Sequence, residues 1–526
     1  MPTEVVDPSP AAWATGLGRR ALAGGLTGAS GLIISLVAGF LMTPYILGRI
    51  GPAAYGLFIL VSSLVAYGGM LDLGVGGAVV KLVAEFRARR QLEEAGVLVA
   101  TVVRVYMVLA LSCIGITLAA AVLVPSIFNI PPSDAGTASL IVILMGSNLA
   151  LAIFSTPTVS ILVGLQRYDV HNVIGTMGVL LSAIGTVIVL ALGGGVVGMV
   201  ALGIPMTICM RLAGAWYIRR VAPEVALRWH GASRAMTRRV ASLSAAIFAT
   251  QVSAPLQKQT DEIVIGAFLT ISSITPYALA RKLSESAFQV TNQFVRVLLP
   301  IASGYDPVAD IARLRELYVA STRATVAIFL SMAVALIVYG DLILSVWVGP
   351  DYSGAAPLVV ILVAANLALV SAYPAGAILQ GMGRFRVIAV SSLASGLFNL
   401  ALSIMLVQWI GVTGVALGTL IPTVIEALAV VMPYTMRVLM VTPQTVVIRV
   451  WLPTLAPAAL SAAVLLSLRT IFDLTSLLAL LVASAFGVLV YFGSYFAFRV
   501  TAPERTSALD MVTHVVRRAA RLRVER

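Results

Sequence analysis

The sequence predicts an all-α polytopic membrane protein, and its composition, its long apolar runs and an internal repeat support that fold class. The chain has 526 residues, of which 60% are hydrophobic and only 11% are charged. A soluble globular protein carries roughly 25% charged residues, so the polar side chains here are too few to cover a water-exposed surface. The composition also excludes a disordered chain, and the continuous apolar runs disfavour an outer-membrane barrel, whose strands alternate apolar with polar residues.

The apolar runs predict about fourteen transmembrane helices. A helix needs about 20 apolar residues to cross a hydrocarbon core roughly 30 Å thick. Runs of that length give the predicted spans 26–48, 56–80, 97–124, 137–164, 172–193, 196–217, 241–269, 274–299, 321–346, 356–380, 387–409, 412–436, 450–469 and 476–498. Short turn-like connections join them, such as the glycine triplet at 193–195.

Basic residues give the orientation of these spans. The net charge is +13, and most of the 35 Lys and Arg residues lie on alternate connections and on the C-terminal tail. Only Arg49 and Arg469 lie near connections on the opposite side. The positive-inside rule therefore places the N-terminal segment 1–25, the linker 218–240 and the tail 499–526 in the cytoplasm. The charge then needs no nucleic-acid partner, and the end of the tail, 503–526, is either an amphipathic helix on the membrane surface or a solvated segment.

An internal repeat predicts the architecture. The stretch ILVGLQRY at 161–168 is similar to ILQGMGRF at 378–385, an offset of 217 residues. The same offset aligns further glycine, arginine and proline residues, namely Gly164 with Gly381, Arg167 with Arg384, Pro157 with Pro374 and Pro205 with Pro422. Predicted helices 4–6 therefore correspond to helices 10–12.

Because six helices separate the two copies, both copies run through the membrane in the same direction. This predicts two six-helix lobes, 26–217 and 241–436, with two extra helices in 450–498. Parallel repeats of this kind are typical of transporters, in which the substrate path lies between the two bundles. The sequence therefore predicts a two-bundle transporter.

Three segments resemble a known family. They are LGRIGPAAYGLFILVSSLVAYGGMLDLGVGGAVVKLVAEFRARRQLEEA at 47–95, QTDEIVIGAFLTISSITPYALARKL at 259–283 and RLRELYVASTR at 313–323. They are similar to bacterial polysaccharide flippases, the Wzx-like oligosaccharide-lipid transporters of the multidrug/oligosaccharidyl-lipid/polysaccharide superfamily. The resemblance extends over 26–498. It implies two lobes around a cavity and the movement of a polyprenyl-diphosphate-linked oligosaccharide from the inner to the outer leaflet of the bacterial cytoplasmic membrane.

The resemblance also implies partners, and other functions compete with it. Implied partners are the lipid-linked oligosaccharide, membrane lipids and the polymerase and glycosyltransferases of surface polysaccharide assembly. One alternative is a multidrug or cation exporter of the same superfamily, and another is a membrane-embedded polysaccharide polymerase. A polymerase needs a large catalytic loop, whereas the longest internal connection here is 218–240. The three histidines are scattered, so we expect no metal site, no cofactor and no enzymatic activity.

Ionisable residues inside the predicted spans are the candidate functional residues, because charge in a bilayer normally faces a bundle interior or a wet cavity. Predicted helices 7 and 8 carry a cluster made of Lys258, Asp261, Glu262, Arg281, Lys282 and Glu285. Its cations suit a diphosphate, and Gln257 and Gln259 are suited to sugar hydroxyls. The alternative is structural, because Lys258 with Glu262 and Arg281 with Glu285 are i,i+4 pairs that can neutralise each other.

Three further charged residues stand apart from this cluster. Asp72, in the sequence LDLG, matches a motif residue of the family, and it is predicted either to titrate or to contact a helix end or Lys81. Glu426 is predicted to be a proton site or a residue that only orients its helix. The Arg49 side chain is predicted either to extend to the membrane interface or to line the substrate cavity.

Overall fold

The computed structural model describes residues 16–128, 130–227, 229–251, 259–295, 298–306 and 309–498. The predicted tail helix at 503–526 lies outside these ranges. The described residues form helices and no strand, and eleven helices are long and apolar enough to cross a membrane. The predicted fold class is therefore confirmed, and the protein is a multi-pass membrane protein. The count of fourteen spans stays a prediction.

The described residues divide into two compact units. Unit 1 contains those up to Ala278 together with Ser392–Thr419, and unit 2 contains Leu279–Ser391 together with those from Leu420 onward. This division follows packing, whereas the predicted lobes 26–217 and 241–436 follow the sequence repeat and stay a prediction.

The helices of the N-terminal part have the following bounds. They are α1 Gly16–Gly68, α2 Val75–Ala88, α3 Leu92–Ile127, α4 Pro132–Phe154, α5 Thr156–Gly164, α6 Tyr168–Ala191, α7 Gly195–Ala201, α8 Gly203–Val221, α9 Arg234–Gln251 and α10 Thr260–Phe268. Helix α1 contains predicted span 1 and the first part of predicted span 2, up to Gly68, and the two are separated at Gly51 by one residue with a non-helical backbone. Large buried side chains of α2, α3 and α5, including Phe86, Tyr106 and Ile161, pack together.

The remaining helices follow in chain order. They are α11 Ile274–Val295, α12 Leu298–Ser303, α13 Ile311–Val348, α14 Ala356–Gly381, α15 Phe385–Ile410, α16 Val412–Val424, α17 Met432–Val438, α18 Pro443–Val446, α19 Leu452–Ile471 and α20 Leu477–Phe498. In unit 2, α13 packs against α14 and α19, with Tyr318, Tyr339 and Ile378 fully buried.

Several predicted spans are interrupted where the sequence predicted one helix each, and two of them, 56–80 and 137–164, show the cause. The span 56–80 breaks after the 3-10 turn Gly69–Asp72, because Leu73 and Gly74 both have left-handed backbone angles (φ 50° and 76°). A side chain at Gly74 would also lie 2.6 Å from the Ser244 carbonyl oxygen, so only glycine fits. The span 137–164 breaks at Ser155, because Pro157 cannot donate a backbone hydrogen bond to the preceding turn.

The backbone repeats at the predicted offset. Helices α5 and α14 end at Gly164 and Gly381, and the next helices begin at Tyr168 and Phe385. The turns between them have the same hydrogen bonds: Arg167 N donates to Leu162 O at 2.9 Å, and Arg384 N donates to Leu379 O at 2.7 Å. Both turns contain one left-handed residue at the same place, Gln166 (φ 56°) and Gly383 (φ 76°). The sequence repeat is thus a repeat of structure.

Candidate functional site

Two acidic side chains at the start of α10 are almost completely buried. Asp261 is 3% exposed and Glu262 is 0% exposed. The Asp261 carboxylate accepts hydrogen bonds from the Tyr277 hydroxyl and, at 2.7 Å, from the Thr419 hydroxyl. The Ser63 hydroxyl donates to Glu262 at 3.4 Å. Helices α1, α10, α11 and α16 thus bring polar groups together inside unit 1.

Neutral polar side chains extend this site, and we call Asp261, Asn399, Ser403 and Thr419 the oxygen cluster. The Asn399 amide nitrogen lies 2.9 Å from the Thr419 hydroxyl. Asn399 Oδ1 and Ser403 Oγ are buried, and neither has a hydrogen-bond partner among the described residues. Gly418 leaves the space that Ser403 occupies, because a Cβ there would overlap the Ser403 hydroxyl. Buried oxygens with spare lone pairs can coordinate a small hard cation, and a buried carboxylate such as Asp261 can take up a proton.

The functional residues predicted from the sequence did not include Asn399, Ser403 or Thr419. One signal was available: Asn399 and Ser403 are spaced i,i+4, so they place two polar side chains on the same face of a helix within a candidate membrane span. Thr419, which α16 contributes to the cluster, is a neutral residue in an apolar run and was not indicated by the sequence.

The predicted cations of helix 8 lie in unit 2, on α11. Arg281 and Lys282 are half-buried, and Glu285 lies one helical turn beyond Arg281. Ser284, which directly precedes Glu285, is fully buried, and its hydroxyl accepts a hydrogen bond of 2.7 Å from the Asn366 amide nitrogen. The i,i+4 arrangement of Arg281 and Glu285 keeps both the substrate and the pairing interpretation open.

The other members of the predicted cluster are only partly described. Gln257 and Lys258 lie outside the described residues. Gln259 immediately precedes α10 and is half-buried, and its side chain makes no capping hydrogen bond.

Asp72 contacts a helix end, which is one of its predicted roles. Its carboxylate accepts a hydrogen bond of 3.2 Å from the backbone N–H of Gly76, in the first turn of α2, and another from the Tyr106 hydroxyl. Free N–H groups at a helix start favour a carboxylate, so Asp72 stabilises the restart of the helix after the break. Lys81, the other predicted contact, is exposed.

Glu426 and Arg49 lie in different settings. Glu426 is half-buried in the π-helical turn Ile425–Val431, and the Ser391 hydroxyl lies 3.3 Å from its carboxylate. Such turns widen a helix and are frequent at functional sites. Arg49 is exposed at the end of predicted span 1, with its guanidinium 5.6 Å from the centre of the Tyr45 ring.

Arg211 on α8 is a further cation in a candidate membrane span, and it was not among the predicted functional residues. It is half-buried within the candidate span Gly195–Val221. Its Nε atom is buried without a hydrogen-bond acceptor among the described residues. The signal for it was the ionisable residue in an apolar run, the same criterion that selected the residues above.

Comparison with known proteins identifies the family. A family of proteins described as polysaccharide biosynthesis proteins matches residues 46–357, which is more than half of the chain. The chain belongs to this family. The match includes the segments 47–95, 259–283 and 313–323, so the family resemblance predicted from them is confirmed. No curated protein matches the chain significantly.

Solved structures of low sequence identity share the fold. An inward-facing multidrug resistance transporter of the MATE family and MOP superfamily matches with a TM-score of 0.67 and 13% identity, over 80% of this chain and 99% of that chain. The lipid II flippase MurJ, in an inward closed conformation, matches with a TM-score of 0.64 and 14% identity, over 91% of this chain and 98% of that chain. An outward-facing MATE transporter has a TM-score of 0.56 at 15% identity. This polysaccharide biosynthesis protein therefore has the MOP transporter fold.

Proposed function

We propose that the protein is a flippase that moves a polyprenyl-diphosphate-linked oligosaccharide from the inner to the outer leaflet of the bacterial cytoplasmic membrane, for surface polysaccharide synthesis. The observation that carries the proposal is membership of the polysaccharide biosynthesis family by a chain with the MOP transporter fold. A transporter of this kind binds and reorients its substrate without chemical conversion. Its partners are the lipid-linked oligosaccharide, membrane lipids, and the glycosyltransferases and polymerase that precede and follow it.

The direction of transport requires an orientation, and we propose that both termini lie in the cytoplasm. Arginines on 218–240 and on the C-terminal tail support this assignment through the positive-inside rule. Reporter fusions are expected to place these two segments in the cytoplasm and the connection near 131–136 outside. A cytoplasmic signal from 131–136 would reverse the assigned direction.

The proposed substrate site consists of Lys258, Arg281 and Lys282 for the diphosphate, with Gln257, Gln259 and Arg49 for the sugar or its approach. Charge-assisted hydrogen bonds to phosphate oxygens are roughly twice as strong as neutral ones. Removing one cation from a desolvated pair costs about 2–5 kcal/mol of binding. Arg281→Ala is therefore expected to cause lipid-linked sugar to accumulate on the inner leaflet at normal protein abundance.

Two further variants make this test specific. Arg313→Ala is the matched control, because Arg313 is exposed and already bonded to Asp310 at 3.0 Å, and it is expected to transport normally. The double variant Arg281→Ala, Glu285→Ala separates substrate binding from mutual pairing. Restored transport in the double variant would show that Arg281 only neutralises Glu285, and it would remove Arg281 from the substrate site.

We further propose that Asp261 is the coupling residue and that the oxygen cluster takes up a proton or a small cation during transport. The burial of Asp261 and its hydroxyl neighbours Tyr277 and Thr419 support this role, as do the buried oxygens of Asn399 and Ser403. Glu262, Glu285, Glu426 and Asp72 are the remaining candidates for coupling or for structural charge.

The coupling proposal predicts a difference between two aspartates. Asp261→Asn is expected to abolish the dependence of transport on a sodium or proton gradient while abundance stays normal. Asp341→Asn is the control, because Asp341 is held by Arg469 at 2.6 Å near the end of α13, and it is expected to keep gradient dependence. Equal gradient dependence in wild type and Asp261→Asn would exclude Asp261 as the coupling residue.

A multidrug exporter is the second candidate, and the buried acidic pair Asp261 and Glu262 favours it, because a cationic drug needs carboxylates. Expression in a drug-sensitive strain distinguishes the two functions. The flippase proposal expects no change in resistance to cationic drugs and a loss of surface polysaccharide when the gene is deleted. Raised resistance with unchanged polysaccharide would favour export.

A further inference from the structure

Arg211 is a cation in a candidate membrane span, and the part of the chain that the structure describes offers it no carboxylate partner. Its guanidinium Nε is buried without an acceptor, and no carboxylate among the described residues forms an ion pair with it. Asp169 is the acid in the first turn of the neighbouring helix α6, and it already accepts two hydrogen bonds, of 3.0 and 2.9 Å, from Arg167. A charge in a span is costly unless it is paired or reaches a polar group, so Arg211 requires an anion.

A second basic group, on the neighbouring helix, lies within electrostatic range of Arg211. Helices α6 and α8 run antiparallel, because Gly178 packs against Met210 while Gly185 packs against Leu202. His171 lies two turns before Gly178 on α6, and its imidazole is within electrostatic range of the Arg211 guanidinium. Two basic groups therefore lie near each other on α6 and α8, and Asp169, the acid in the first turn of α6, is already paired with Arg167.

The position of Arg211 along α8 corresponds to the region of lipid headgroups. Trp216 is 57% exposed, and the Arg220 guanidinium lies 4.5 Å from the centre of its ring. Tryptophan with arginine is typical of the membrane interface. Arg211 precedes Trp216 by five residues, or about 7.5 Å at 1.5 Å per residue. A long arginine side chain spans that depth by extending toward the interface.

Apolar side chains beside Arg211 are exposed on the surface of α8. Ile208 and Leu212 are 41% and 64% exposed, as apolar side chains on the outside of a membrane bundle are expected to be. An apolar surface of this kind within a candidate membrane span suits the acyl chains of a lipid, and the anion that a phospholipid carries near the membrane interface is its phosphate.

The second copy of the repeat shows that the fold does not need these cations. At the offset of 217 residues, Arg211 corresponds to Leu428 and His171 corresponds to Ile388. Helix α15 of that copy nevertheless begins at Phe385, the equivalent of Tyr168, and α17 ends at Val438, the equivalent of Val221. The two basic groups are thus specific to the first copy and serve something other than helix packing.

We propose that Arg211 and His171 bind the phosphate group of a membrane phospholipid, which occupies the groove between α6 and α8. The guanidinium donates charge-assisted hydrogen bonds to phosphate oxygens, and the acyl chains follow the exposed apolar surface of α8. The assignment to the cytoplasmic leaflet rests on the proposed orientation. The site itself does not depend on the identity of the transported substrate.

Native mass spectrometry of the purified full-length protein with added phosphatidylglycerol tests this site. Loss of a charge-assisted hydrogen bond is expected to reduce the bound fraction of this lipid on the order of tenfold in Arg211→Gln. Arg211→Lys is expected to retain part of the binding, because a point charge replaces a planar fork of donors. His171→Gln is expected to have a smaller effect than Arg211→Gln.

Arg449→Gln is the matched control, because Arg449 already forms two hydrogen bonds of 3.1 Å with Glu316. It is expected to bind phosphatidylglycerol as the wild type does. If Arg211→Gln does not fold, Arg211→Leu replaces it, since leucine occupies the equivalent position of the second copy. Equal lipid retention in the Arg211 and Arg449 variants would overturn the proposal, and so would displacement of the lipid by millimolar inorganic phosphate. Lipid binding is measured without transport, so its failure leaves the flippase proposal separately testable.

Discussion

The two copies of the three-helix repeat share a backbone and differ in their charged residues. Their turns at 165–167 and 382–384 have the same hydrogen bonds, and their last helices end at Val221 and Val438. At four positions the equivalent residues of the two copies differ in charge or polarity, namely Asp169 and Arg386, His171 and Ile388, Cys209 and Glu426, and Arg211 and Leu428. Glycine, proline and apolar contacts therefore maintain the fold, while polar positions are free to acquire separate functions in each copy.

The copies also differ in helix geometry near Glu426. In the first copy, α8 is a regular helix from Gly203 to Val221. In the second copy, the equivalent region contains the π-helical turn Ile425–Val431. A π-helical turn accommodates an extra residue in the helix and changes the direction in which neighbouring side chains point. The second copy thus departs from the first where its acidic residue lies.

The largest expected effect comes from removing this acid. Glu426→Gln is expected to lower transport at least tenfold, because an ionisable residue inside a span normally has a functional partner. The change keeps the size and the hydrogen-bonding capacity toward Ser391. Transport of lipid-linked sugar, normalised to the amount of protein in the membrane, measures the effect.

Cys209→Ser is the control in the other copy. Cys209 is an exposed thiol at the position equivalent to Glu426, and its replacement is expected to leave transport unchanged. A fall in protein abundance that parallels the fall in transport would show that Glu426 only orients its helix, which is the other predicted role.

Features that depend on composition and on glycine or proline were predictable from the sequence. The fold class follows from the charge deficit, and the repeat follows from anchors such as Gly164 and Gly381. The interruption of predicted span 56–80 was missed, because it depends on left-handed angles at Leu73 and Gly74 that hydropathy does not register. The partners of Asp261 were also missed, because Thr419 is 158 residues away and a neutral residue in an apolar run does not indicate which helix it will face.

A moderate effect is expected from the arginines of the two equivalent turns. Arg167 pairs with Asp169 at 2.9 Å and lies 4.9 Å from the centre of the Tyr217 ring. Arg384 lacks an acid at the equivalent position, since Arg386 stands there. A surface ion pair and a cation–π contact together contribute about 1–2 kcal/mol. Arg167→Ala is expected to lower the free energy of unfolding by this amount.

Arg384→Ala is the matched comparison and is expected to change stability by less than about 0.5 kcal/mol. Thermal unfolding in detergent, followed by the exposure of buried tryptophan or cysteine, measures both variants. Equal losses of stability at the two arginines would mean that the ion pair and the ring contact contribute nothing measurable, and that the two turns are equivalent in energy as well as in backbone.

The smallest expected effect is an opposite change of stability at the left-handed residue of each turn. Gln166 and Gly383 have positive φ angles of 56° and 76°. A side chain in this conformation places its Cβ close to the following carbonyl group, at a cost of roughly 1–2 kcal/mol, which glycine avoids. Space at Gly383 is open, because a Cβ built there has no atom within 4 Å. Gly383→Gln therefore tests backbone strain alone.

We expect Gly383→Gln to lower the free energy of unfolding by about 1 kcal/mol and Gln166→Gly to raise it by a few tenths of a kcal/mol. The gain is smaller than the loss because glycine also gives the unfolded chain more conformational freedom. Since each variant carries the residue of the other copy, the pair exchanges the turns without adding new chemistry. Chemical denaturation of both variants in the same detergent measures the two shifts. Destabilisation by Gln166→Gly would mean that contacts of the Gln166 side chain stabilise the protein by more than its backbone strain destabilises it. The two turns would then be held by different interactions.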